Sequence, residues 1–267
     1  MKKTIFITGA SAGIGKATAK LFAAKGWKVI ATMRKPENET ELNRLENITL
    51  LPLDVTNPEQ IKDITQKALA LGDVDVVFNN AGYALLGPLE AITDEELVQQ
   101  METNFFGTVR VTKEFIPNFR AKKSGLFINT TSSAGLMAFP VSSMYDASKW
   151  ALEGWAESLS FELNHFGIGI KNIEPGLVST DMGERSVLPS HPAYEALTGK
   201  FFAMISSPET KMSTPEQIAE VVYEAATDGT DILRYVCGED AKAMYAQRLE
   251  AGDEAFRKGI RQMILGE

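Results

Sequence analysis

Cysteine, histidine and net positive charge are all scarce in this 267-residue chain, and each scarcity excludes a class of function. The single cysteine, Cys237, rules out an intrachain disulfide. It follows Tyr235 and Val236 in an apolar run, so it reads as strand packing rather than a reactive thiol. The two histidines, His165 and His191, stand far apart, and no His/Cys/Asp/Glu cluster has metal-ligand spacing, so no metal is expected. Lys and Arg number 27 against 35 Asp and Glu, a formal charge of −8. That balance argues against nucleic acid or an anionic membrane as partner. No apolar run is long enough to cross a bilayer, and the short one after Met1-Lys2-Lys3 ends at Gly9. It makes no signal peptide, and the cytoplasm is the expected location. What remains is ordinary globular composition, 44% hydrophobic and 23% charged, without low-complexity tracts. A chain of this length with no linker is expected to form one domain over residues 1–267.

Apolar runs alternate with amphipathic stretches. Strands are expected at Lys3–Thr8, Lys28–Thr32, Ile48–Leu53, Val74–Phe78, Leu126–Thr131, Ile168–Ile173 and Leu233–Cys237. Helices are expected at Ile14–Ala24, Pro58–Leu71 and Ser143–Asn164. Thr93 and Glu96 form a capping box that opens a further helix toward Asn118, with Pro117 ending or kinking it. Strands apolar throughout and separated by helices indicate a parallel sheet covered on both faces. Right-handed crossovers then give a doubly wound α/β fold of about seven strands. The Pro-, Ser- and Phe-rich stretch from about 183 to 212 breaks this rhythm and reads as a substrate loop or lid, before Thr214-Pro215 restarts a helix.

The first strand runs into Thr8-Gly9-Ala10-Ser11-Ala12-Gly13-Ile14-Gly15 and then a helix. This order of strand, glycine turn and helix N-terminus offers backbone N–H groups and a positive dipole end to a pyrophosphate. Gly9 would allow the turn, Gly13 close ligand approach and Gly15 tight packing; Ser11, Ala12 and Ile14 belong to the same phosphate-facing turn. At the end of the second strand, Ala31-Thr32-Met33-Arg34-Lys35 lacks the acidic residue that would hold a ribose diol. Arg34, with Ser11 and Lys35, would instead hold a 2′-phosphate. NADP(H) is therefore expected over NAD(H), with NAD(H) possible.

In Tyr145-Asp146-Ala147-Ser148-Lys149, spacing of four puts a phenol and an ammonium on one helix face. At about 4 Å and an effective dielectric near 20, the charge is worth roughly 4 kcal/mol. This predicts a tyrosine pKa depressed by two to three units, with desolvation opposing it.

Together these features resemble the short-chain dehydrogenase/reductases in their compact single-domain, Rossmann-like form, over nearly the full length. The matching pieces are Thr8-Gly9-x-x-x-Gly13-x-Gly15, Leu53-Asp54-Val55, Asn79-Asn80-Ala81-Gly82, Asn104, Ser132, Tyr145-x-x-x-Lys149 and Pro175-Gly176-x-Val178-x-Thr180. The chain is most similar to the carbonyl, hydroxysteroid and retinol dehydrogenase-like members. The resemblance implies that Tyr145 exchanges a proton with the substrate oxygen while nicotinamide exchanges hydride. It also implies that Lys149 lowers the tyrosine's pKa and binds the nicotinamide ribose, and that Ser132 holds the substrate oxygen. Asn104 would serve a water-linked relay through its backbone or side chain. Asp54 and Val55 would meet adenine, Asn80, Ala81 and Gly82 would line the cofactor groove, and Pro175, Gly176, Val178 and Thr180 would approach the carboxamide.

Leu136, Met137, Phe139, Val141, Met182, Leu188, Phe201 and Met204 are the candidate pocket walls, suiting a medium-sized apolar carbonyl or secondary alcohol. The helix after Tyr145 is apolar nearly all round, and the resemblance implies a homodimer or homotetramer through it, unless the stretch 240–267 covers that surface. Two alternatives stand beside this reading. One is a reductase of 3-oxoacyl groups on a carrier protein, for which Arg185 and Lys200 are the candidate docking cations. The other is a non-catalytic NADP(H)-binding redox sensor.

Overall fold

The computed structural model describes residues 2–180, 186–207 and 210–266. Seven strands form one sheet: β1 (Thr4–Ile7), β2 (Lys28–Met33), β3 (Ile48–Pro52), β4 (Val76–Asn79), β5 (Gly125–Thr130), β6 (Ile168–Pro175) and β7 (Arg234–Cys237). Their order is β3-β2-β1-β4-β5-β6-β7 and every pairing is parallel. The strands are apolar along their whole length because both faces are covered. On one face Ile5, Ile7, Val29 and Phe78 pack against helices α1 (Gly13–Ala24) and α7 (Pro215–Thr227). On the other, Phe6, Ile30, Val77 and Phe127 meet α2 (Pro58–Ala70), α4 (Gly107–Lys122) and α5 (Ser143–Asn164). Alternate residues of one strand thus serve two cores.

The helix opened by the Thr93 capping box does not run on as one α-helix. α3 (Asp94–Met101) passes into a π-helical turn at Glu102–Phe106 before α4 begins, and Pro117 sits inside α4 without ending it. In the late segment, the described residues include helix α6 (Glu195–Ile205) rather than an irregular loop throughout. With α8 (Glu239–Ala251) and α9 (Asp253–Leu265), it builds a third apolar cluster over Leu136 and Met137. None of the helices among the described residues is long and apolar enough to cross a membrane.

One row of buried polar side chains crosses this framework. Asn79, Asn129, Asn172 and Arg234 occupy one register level on β4, β5, β6 and β7. Asn79 Nδ2 donates to Asn129 Oδ1, Asn129 Nδ2 to Asn172 Oδ1, and Asn172 Nδ2 to Glu153 Oε2, each at 3.0 Å. Arg234 Nε closes the row on the same Glu153 oxygen at 2.9 Å.

Candidate active site

The sheet order reverses direction between β1 and β4, and the crevice beyond their carboxyl ends is where open α/β sheets hold ligands. Gly9 and Gly13 have φ of +67° and +52°, a region where side-chain-bearing residues are strained. A Cβ on Gly9 would lie 2.8 Å from Ala81 Cα, so the turns after β1 and β4 touch. Thr8 Oγ1 accepts the N–H groups of Asn80 and Ala81 at 2.9 and 3.0 Å. The Asn80 amide donates to the carbonyls of Thr8 and Gly9, and its Oδ1 accepts from Thr130. Asn80 is thus spent on holding the turn.

Gly15 packs against the Gly9 carbonyl and the Asn80 amide, and Gly13 against the Thr180 methyl. The first turn of α1 carries no acidic residue and no side-chain cap, which leaves its N–H groups available to an anion. At the rim, Arg34, Lys35 and Ser11 are exposed. Lys16 and Lys20, in contrast, are paired with Glu39 and Glu41. Asp54 accepts from the N–H and hydroxyl of Thr56, while Val55 is buried against Gly107.

Across the crevice, Ser132 begins the connection after β5 and Tyr145 and Lys149 lie in the first two turns of α5. The Ser132 side chain lies close to the tyrosine hydroxyl and acts to lower its pKa. Lys149 Nζ sits 5.7 Å from the Tyr145 ring centroid and donates to Thr130 O at 2.9 Å. Asn104 lies in the π-helical turn, buried, beside Gly82. Its amide donates to Tyr83 O at 2.9 Å and Ser148 Oγ at 3.1 Å, and its Oδ1 accepts from Tyr83 N at 3.1 Å. Both amide hydrogens are thus spent inside the protein, and the Asn104 carbonyl accepts from Thr108 Oγ1 at 3.2 Å. Gly176, on the opposite wall, packs against Asp240, whose carboxylate accepts Leu177 N–H at 2.7 Å.

Electrostatically, the tyrosine's pKa moves opposite to the expected depression. Burial pushes Tyr145 up to about 12, against a lowering by the Ser132 side chain, and Asp146 raises it further. Burial also pushes Lys149 down to about 8, with Glu153 opposing. Desolvation therefore outweighs the pairwise attraction that the spacing suggested, and the ammonium itself is weakened by the same environment.

On the substrate side, Leu136, Met137, Phe139, Val141, Phe201 and Met204 do gather in one cluster with α9. Leu188 stands exposed outside it, and Met182 and Arg185 lie outside the described residues. A cavity of about 400 Å³ opens beside the cluster against Trp150, Arg248 and Phe256, away from Ser132, Tyr145 and Lys149. Lys200 is exposed and donates to Leu265 O. The sequence reading missed Ser148 and Gln100. Ser148 receives Asn104, and Gln100 accepts Leu85 N–H at 2.8 Å and donates to Tyr83 O. Both are ordinary polar helix residues in sequence, Gln100 on α3 and Ser148 on α5, and neither carries a mark of the contacts that the fold gives it.

The geometry has parallels among known proteins. Residues 3–189 match the family described as short chain dehydrogenase. An uncharacterized oxidoreductase of Schizosaccharomyces pombe is 39% identical over 227 residues, covering 84% of this chain and 96% of the relative. A short-chain dehydrogenase from Streptomyces avermitilis superposes with a TM-score of 0.83 at 32% identity, covering 94% of each chain. ElxO with NADP bound gives 0.76 at 30% identity, covering 88% of this chain and 98% of ElxO.

Proposed function

Because the chain belongs to the short-chain dehydrogenase/reductase family, whose members are NAD(P)-dependent oxidoreductases, we propose that it interconverts a medium-sized apolar carbonyl and its secondary alcohol using NADP(H). The observation that carries this reading is the convergence of Ser132, Tyr145 and Lys149 on one wall of a crevice whose other wall is a phosphate-receptive glycine turn. A bound nicotinamide would supply or accept the hydride. Gly9 to Gly15 would hold its pyrophosphate, Ala81, Gly82, Asp54 and Val55 the adenosine side, and Pro175, Gly176, Val178 and Thr180 the carboxamide side. The protein's own task is the proton. Tyr145 Oη gives it to the carbonyl oxygen in reduction and takes it in oxidation, and the Ser132 hydroxyl orients that oxygen. Lys149 offsets the developing phenolate charge.

NADP(H) is favoured by Arg34, an exposed guanidinium for which no carboxylate partner is found among the described residues, at the end of a strand with no acidic residue. ElxO, solved with NADP, supports the same choice. Arg34→Ala is expected to lower kcat/KM with NADPH by roughly 10- to 100-fold, the value of a charged hydrogen-bonded contact, and to leave NADH nearly unaffected. Wild-type enzyme that uses NADH as well as NADPH would sink the preference.

The apolar wall of Leu136, Met137, Phe139, Phe201 and Met204 supports an apolar substrate, with residues 183–212 as its lid. A panel of hydrophobic ketones and polar sugars, read by nicotinamide absorbance, tests it; activity confined to the sugars would refute it. An acyl-carrier substrate has less support, since Lys200 is turned to α9. A redox sensor would not need the Ser/Tyr/Lys set. For assembly we propose a homo-oligomer through α5, where Phe161 is 75% exposed while α8 already brings Arg248 over Trp150.

A further inference from the structure

Between Ser132 and Tyr145 the chain makes a turn at Phe139–Ser142 that enters α5. Val141 in this turn has φ +53°, a left-handed conformation that β-branched residues avoid. Such strain costs on the order of 1–3 kcal/mol and persists only where surrounding contacts over-determine it. Two contacts do so here. Gly87 N–H donates to Val141 O at 2.6 Å from one side. From the other, Asp146 Oδ2 accepts Phe139 N–H at 2.9 Å and lies 3.0 Å from Ser142 Oγ.

We infer that Asp146 is a positioning residue for the reaction proposed above, its buried carboxyl clamping the Phe139–Ser142 turn to α5 and so fixing Tyr145 opposite Ser132. The inference rests on that reaction, but the clamp is visible without it.

The hydrogens of the clamp can be counted. Ser142 Oγ stands 2.8 Å from Phe139 O as well as 3.0 Å from Asp146 Oδ2. A hydroxyl has one hydrogen, and the carbonyl has none to give. Both contacts are satisfied together only when Asp146 carries a proton and donates to Ser142, which donates to Phe139 O. Asp146 Oδ1 is buried with no hydrogen-bond partner, an arrangement that suits a neutral carboxyl better than a carboxylate. Burial accordingly pushes Asp146 up to about 7. The turn packed against it presents only the uncharged Phe139 N–H and Ser142 hydroxyl, and no charged side chain among the described residues acts on it. On its own helix the titratable neighbour is Tyr145, whose pKa an ionised Asp146 raises. Deprotonation thus removes the hydrogen that Asp146 gives Ser142, so that Ser142 can no longer keep both of its partners, and makes Tyr145 a poorer acid in one event.

Three variants test this: Asp146→Ala, Asp146→Asn and the milder Ser142→Ala. Each is expected to lower kcat on the order of 10- to 100-fold, the cost of a reacting group misplaced by about an ångström. NADPH affinity, followed by fluorescence titration, is expected to stay at the wild-type value. Hydrogen exchange of the Phe139, Val141 and Ser142 amides is expected to accelerate in Asp146→Ala and Ser142→Ala. An inflection near pH 7 in the wild-type kcat profile is expected to vanish in Asp146→Asn. Wild-type kcat in Asp146→Ala, unaltered exchange in the turn, or an inflection that survives in Asp146→Asn would each overturn the inference. A wild-type protein inactive on every carbonyl and alcohol would instead sink the reaction, whereas an unprotected turn would sink the clamp, so the two failures read differently.

Discussion

Tyr145→Phe is expected to lower turnover by about 10²- to 10⁴-fold, the usual worth of a general acid–base group, while the protein still binds NADPH. The substitution removes one oxygen and keeps the ring beneath Lys149, whose Nζ remains anchored on Thr130 O. The loss therefore falls on kcat rather than on cofactor affinity, because the hydroxyl matters most when the substrate oxygen gains or loses its proton. With Tyr145 near 12, the phenol is protonated across the ordinary range. Ionisation of the tyrosine itself is accordingly expected to cost reduction, which needs the acid, nothing from pH 6 to 8, so that the inflection near pH 7 is that of Asp146; oxidation, which needs the base, is expected to rise towards high pH. Steady-state rates in both directions, with a fluorescence titration of NADPH, make the measurement. Tyr145→Phe with near wild-type turnover would remove the tyrosine from the chemistry.

The second large effect concerns stability. Glu174, on β6, is completely buried, and neither carboxyl oxygen makes a hydrogen bond, though Tyr235 N–H lies near. Burial pushes it up to about 9, and the charge of Glu153 adds to the rise. The folded state therefore keeps a proton that the unfolded chain releases above its ordinary 4.5. Folding must restore that proton, so stability falls as pH rises from 4.5 towards 9. At pH 7 the cost is roughly 3 kcal/mol, at 1.36 kcal/mol per unit. Glu174→Gln, which cannot ionise, is expected to raise Tm relative to wild type by roughly 5–10 °C more at pH 8 than at pH 5. Burial of the amide shifts both values alike and leaves the pH dependence intact. Thermal melts of the two proteins at each pH decide it, and an identical Tm difference at both would show that Glu174 is ionised in the fold.

Much of this fold is legible in the sequence because its strands are unbroken apolar runs and its helices begin at recognisable caps. Thr93 with Glu96 and Thr214 with Gln217 form capping boxes that open two of these helices. The π turn at Glu102–Phe106 carries no comparable mark, since it follows from what Gln100 and Asn104 must reach on the Tyr83–Leu85 segment. At the site, the pairing of Tyr145 with Lys149 could be read from spacing and Ser132 from the family resemblance, but the sign of the tyrosine's shift could not. Spacing gives the distance between two charges and says nothing of the water each gives up. Asp146 and Glu174 were invisible for the same reason, because their roles come from depth within the fold.

The row Asn79–Asn129–Asn172–Arg234 has a consequence for how the sheet assembles. Parallel strands are joined by long crossovers, and their pairing is slow and non-local. With apolar side chains on both faces, a strand displaced by one position could still bury oily surface. A displaced β5 or β6 could not keep its amide aligned with both neighbours, and side-chain period two would send it into the opposite core. Misregistered sheets would thus bury orphaned amides at several strands at once, so that the row proofreads the folding of the edge on which the crevice is built.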